Sequence, residues 1–91
     1  MKFFPMDWRG DANLRLCSLA ARGLWIEMCG IMHESDPRGY LMNGGRKMGV
    51  EDLASIAGRP LEEVAGALSE LESRSVFSRT KTGVIYSRRI V

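Results

Sequence analysis

LASIAGRPLEEVAGAL, residues 53–68, reads as two helices meeting at a sharp turn. Gly58 stands where a helix ends in a left-handed residue, a conformation that only glycine adopts without strain. Pro60 opens the next helix at its first turn, where a missing N–H costs nothing. Leu61, Val64, Ala65, Leu68 and Leu71 then recur at helical spacing, the clearest amphipathic stripe in the chain. The helix before the turn spans 51–57 and points Leu53, Ile56 and Ala57 inward. Ala54 is small enough to let the two helices touch, and Val64 offers a β-branched contact back. A small residue, a glycine four positions on and a β-branched residue ten positions on is the spacing that a helix-turn-helix needs.

Working outward, 76–79 and 84–90 are two β-like runs joined by Thr80-Lys81-Thr82-Gly83, which predicts a hairpin. Upstream, Gly39-Tyr40-Leu41-Met42 is a short extended segment ahead of the turn signal Asn43-Gly44-Gly45. Before it lies a helix over 19–33, capped by Ser18 and carrying Leu19, Ala20, Leu24, Met28, Ile31 and Met32 at helical spacing, with Trp25 and Cys29 widening the buried face. It stops ahead of Asp36-Pro37. Residues 2–15 are an aromatic arm with Phe3, Phe4 and Trp8, packed back on the domain as an extended segment or crossing to a second copy. The order is arm, helix, strand, helix, turn, helix, hairpin. The expected fold is α+β, a small winged helix-turn-helix with three helices, a short strand and a C-terminal hairpin wing. It is one domain over 1–91, with its helical core in 18–73 and its wing in 76–90.

Ninety-one residues leave room for one core, and a domain of this size needs nearly every apolar side chain to fill it. A catalytic pocket would compete for the same residues, so a non-enzymatic binding module is expected. Cys17 and Cys29 are 12 positions apart. Along one helix direction that is roughly 18 Å, beyond disulfide reach. Free thiols and the lack of a basic-then-apolar leader point to the cytoplasm. The most apolar run, 24–32, contains Glu27 and is too short for a bilayer, so no membrane contact is expected.

Sharper chemistry finds little footing. His33 and Cys29 supply at most two ligands on one helix face, so no metal is expected, and His33 reads as a helix-end histidine favoured by the dipole. Ser18, Ser35, Asp36 and His33 contain the residue types of a hydrolytic triad without a nucleophile-elbow sequence, so no catalytic residue is assigned. Asn43-Gly44-Gly45-Arg46-Lys47 lacks the order of a phosphate loop and reads as a basic surface turn. No cofactor and no small-molecule substrate are expected.

The charge map matters more than the net charge of +2. From Arg74 onward the chain carries Arg74, Arg79, Lys81, Arg88 and Arg89 and no acid, so the wing is a candidate phosphate-binding element through Arg79, Lys81, Arg88 and Arg89. The preceding helix carries Glu62, Glu63, Glu70 and Glu72 and no Lys, Arg, Asn or Gln over 61–73. That argues against base reading in a major groove, where carboxylates meet phosphate repulsion.

The pieces FFPMDW (3–8), LCSLAARGLWIEMCGIMHE (16–34), GYLMNGG (39–45), LASIAG (53–58) and GVIYSRRIV (83–91) together resemble phage and prophage proteins with an N-terminal winged-helix domain, grouped with replisome organisers and DnaD-like replication-initiation proteins. SLAARGLW and VIYSRR are the most specific parts. The resemblance implies a winged-helix fold and a phage origin. Two functions stay open: a DNA-associated adaptor of phage replication or regulation, touching phosphates through the wing and the early Arg9, Arg15 and Arg22; or a protein-interaction module, such as a small inhibitor of anti-CRISPR type. The second would meet a host or phage protein through Glu62, Glu63, Glu70 and the Phe3, Phe4 and Trp8 arm, or form a homodimer.

Overall fold

The computed structural model describes residues 12–90. Among these residues, four helices and two short hairpins make a small α+β domain: α1 (Ala12–Arg15), α2 (Leu19–Glu34), β1 (Met42–Asn43), β2 (Arg46–Lys47), α3 (Val50–Ala57), α4 (Leu61–Ser73), β3 (Ser78–Arg79) and β4 (Ile85–Tyr86). The arm residues Phe3, Phe4 and Trp8 lie outside the described residues. Its last part, expected to be extended, is the helical turn α1. Leu14 plugs into the core there, and Arg22 holds the turn's exit by donating from Nε to the Cys17 carbonyl at 3.0 Å and from Nη2 to that of Arg15 at 2.7 Å.

Ser18 caps α2 as expected, its Oγ accepting from the Ala21 N–H at 3.2 Å. The buried face of α2 holds the expected Leu24, Trp25, Met28, Cys29 and Met32 and differs from expectation in its first turn. It runs Ala21, Leu24, Trp25, Met28, Cys29 and Met32, while Ala20 is exposed and Leu19 is 80% exposed. At about 100° per residue, Leu19 falls on the opposite side of the helix from that stripe. Cys17 and Cys29 are both buried and free, and burial pushes the Cys29 thiol up to about 12.

The α3–turn–α4 unit forms where residues 53–68 place it. Gly58 sits at φ 67° and ψ 31°, and its N–H closes on the Ala54 carbonyl at 2.9 Å. Asp52 caps the start of α3 by accepting from the Gly49 N–H at 2.9 Å. Leu53 and Val64 are buried as expected, but Ile56 is 50% exposed. Val50, Leu53, Ala54 and Ala57 share the packed face of α3, and Ile56 lies about 110° from its centre. On α4, Val64, Ala67, Leu68 and Leu71 are buried. Leu61 remains 47% exposed because Gly58, Arg59 and Pro60 beside it all face solvent.

The β1–β2 hairpin is an addition to the expected strand. Met42 pairs with Lys47 and Asn43 with Arg46, around Gly44 and Gly45 at φ 61° and 80°. Two consecutive positive φ angles are the geometry of the two-residue turn that matches strand twist. The extended segment ahead of it lies against β4: the Leu41 N–H donates to Ile85 O at 2.8 Å, and the Ser87 N–H to Gly39 O at 2.9 Å. β3 pairs antiparallel with β4, Ser78 opposite Tyr86 and Arg79 opposite Ile85. The chain from 39 to 41 therefore flanks β4 on one side and β3 on the other. Phe77, at the root of the β3–β4 hairpin, stacks on Trp25 of α2 with ring centroids 6.4 Å apart, which fixes the hairpin to the core.

Candidate functional site

Two basic residues of the β3–β4 hairpin, Arg79 and Arg88, are braced. Arg79 is braced completely. Its Nε and Nη2 donate to the two carboxylate oxygens of Glu72 at 2.8 and 3.1 Å, Nη1 donates to Gly83 O at 3.3 Å, and the guanidinium lies 5.6 Å from the centre of the Phe77 ring. This fork holds the Glu72 carboxyl below its ordinary value, chiefly through the hydrogen bond from Arg79, and raises the guanidinium in turn. Arg88 is braced as well, donating to Ser78 Oγ and, at 2.6 Å, to the Ser75 carbonyl. Lys81 is exposed in the connecting loop, and Arg89 is exposed beyond β4.

The sequence reading missed Lys47 as a site residue. It sits on β2, 35 positions from the loop, yet its Nζ donates to Thr82 O at 3.0 Å. That bond lays the β1–β2 hairpin against the β3–β4 loop and sets Lys47 beside the residue that follows Lys81. Arg46, exposed, is its neighbour on β2. The signal was visible as Gly45-Arg46-Lys47, but nothing local says where the hairpin folds to. Lys47 thus meets the β3–β4 loop at one edge of the domain, and of the carboxylates of α4 Glu72 reaches that edge through Arg79.

Those carboxylates have work inside the molecule. Glu70 accepts from the Ser18 N–H at 2.5 Å and from Ser18 Oγ at 2.8 Å, bridging α4 to the start of α2; these two bonds hold its carboxyl below the ordinary range. Negative charge at a helix N-terminus is also favoured by the helix dipole. Glu63 pairs with Arg59 at 2.8 Å across one helical turn. Glu62 is exposed. Of the early arginines, Arg22 braces α1, and Arg9 lies outside the described residues.

His33 lies in the last turn of α2, as expected. Nδ1 accepts from Arg38 Nη2 at 3.2 Å, and the imidazole is held below its ordinary value, by burial first and by the Arg38 charge second. No group of three or more His, Cys, Asp or Glu among the described residues could hold a metal ion. Among them, too, no helix is long and apolar enough to cross a membrane. No family model matches the chain, and no curated protein or solved structure matches it either.

Proposed function

We propose that this domain is a phage-derived winged helix-turn-helix, non-enzymatic, that acts as a DNA-associated adaptor in replication or regulation by gripping phosphates without reading bases. The winged-helix reading is supported by the tight α3–α4 turn at Gly58 and by the 39–41 segment hydrogen-bonded to β4 of the last hairpin. The phosphate reading is carried by one observation, the Lys47–Thr82 bond that joins two hairpins into one basic edge. Lys47, Lys81 and Arg46 are its contact residues, and Arg89 is a further candidate beyond β4; Arg79 and Arg88 act as braces of the wing. α4 supplies no base-reading side chain, so affinity rests on counterion release and depends steeply on salt.

The exposed Leu16, Leu19 and Ile26 favour a second reading, a surface of α1–α2 that meets a host or phage protein or a second copy. One experiment separates the two. Fluorescence anisotropy of labelled duplex and single-stranded DNA is titrated across salt with wild type and a Lys47→Ala/Lys81→Ala variant. The phosphate reading expects binding whose log–log salt slope falls by about two in the variant. A folded wild type that binds neither DNA at low salt would remove that reading and leave the α1–α2 surface.

A further inference from the structure

Arg79 is the strongest potential phosphate ligand of the wing, because a guanidinium matches an oxyanion with two parallel hydrogen bonds. In this structure that fork is filled. Glu72 takes both parallel donors at 2.8 and 3.1 Å, as the two oxygens of a phosphate would, and Gly83 O takes a third. Both side chains remain solvent-accessible, so the pair is reachable by a competing anion rather than sealed in the core. Glu72 comes from the last full turn of α4 and Arg79 from β3, so the carboxylate that fills the fork belongs to the helix behind the wing.

We infer that Glu72 is an internal competitor for phosphate at Arg79, a residue that limits the domain's affinity for DNA by holding one wing arginine out of the contact. The inference rests on the phosphate reading above and adds a restraint to it. A surface ion pair of this kind is weak in water and screened by salt. It nevertheless has a geometric advantage over a phosphate arriving from solution, because both partners are already held in register by the α4–β3 connection. Phe77 under the guanidinium keeps the fork facing Glu72. Exposed Glu62 carries the same charge on the same helix, but it stands at the opposite end and holds no wing residue, so it separates loss of charge from loss of restraint.

The test compares wild type, Glu72→Gln, Glu62→Gln, Arg79→Ala and the Glu72→Gln/Arg79→Ala pair for binding to a fluorescein-labelled duplex between about 50 and 200 mM salt. Glu72→Gln is expected to add one phosphate contact, so its affinity falls about 3.5-fold more steeply than wild type across that range. In the Glu72→Gln background, Arg79→Ala should abolish the gain, with Arg79→Ala alone as its reference. A slope that Glu72→Gln does not alter, or that Glu62→Gln raises as much, overturns the inference, as does a gain from Glu72→Gln that persists without Arg79. The Arg79 Nε–Hε resonance of wild type gives a readout that no variant's folding can disturb: it should stay in place when duplex is added, and movement there overturns the proposal. If wild type binds no DNA, the phosphate reading fails by itself. Arg79-dependent binding by Glu72→Gln would then still support the competitor, and its absence would overturn both.

Discussion

Gly58 shows how much one residue carries. Its left-handed backbone reverses the chain between α3 and α4, yet a Cβ built on it meets nothing within 4 Å. The penalty for any other residue is therefore backbone strain and not crowding. Gly58→Ala should cost about 1–2 kcal/mol of stability, and Gly58→Asn less, because asparagine tolerates this region. Urea denaturation distinguishes them; equal costs for the two would mean that lost space matters more than φ. At Arg79 and Arg88 the same scale shows the opposite lesson, since a basic residue in a basic run is not thereby an open one.

At the scale of the element, α4 is one helix with two unequal leucines in its stripe. Leu71 is 0% exposed and Leu61 47%. Leu71→Ala should remove about 2–5 kcal/mol, since it strips buried methyl groups and leaves a cavity. Leu61→Ala should stay within about 0.5 kcal/mol. For a small domain with a total stability of about 5–15 kcal/mol the first change nears unfolding. Chemical denaturation of both variants checks this, and similar losses from the two would contradict the burial difference. The periodicity of the helix was legible; which end of the stripe is covered depended on the exposed turn beside it.

For the whole molecule, Glu70 and Glu72 tie α4 to the start of α2 and to the wing. Both carboxyls are held below their ordinary 4.5, so the unfolded chain binds protons more readily than the folded one as pH falls. Their contribution is complete above that ordinary value and disappears as pH drops through the lowered folded values. Thermal melts of wild type and a Glu70→Gln/Glu72→Gln variant should therefore differ near neutral pH and converge in acid, once the pH is below the lowered folded values. A gap that persists unchanged into acid would show that these bonds contribute no charge-dependent stability. Each pair is exposed and individually small, about 0–1 kcal/mol for the Arg79–Glu72 bridge, so the convergence and not the size of the gap is diagnostic.

The amino-acid sequence by itself determined the positions of α2, α3 and α4, the Ser18 cap, the Gly58 turn and the last hairpin, because caps, glycine turns and apolar periods act between residues a few positions apart. It misplaced only the first turn of the packed face of α2, naming Leu19 and Ala20 where Ala21 is buried, because a helix end shows too little of the apolar period to fix which residue docks. Tertiary structure alone decided which charges stay open. Glu70 finds Ser18 across 52 positions and Lys47 finds Thr82 across 35. Even the closer Glu72–Arg79 bridge depends on the β3–β4 hairpin folding back beside α4. A charge's partner is set by where whole elements dock, and no local spacing encodes that.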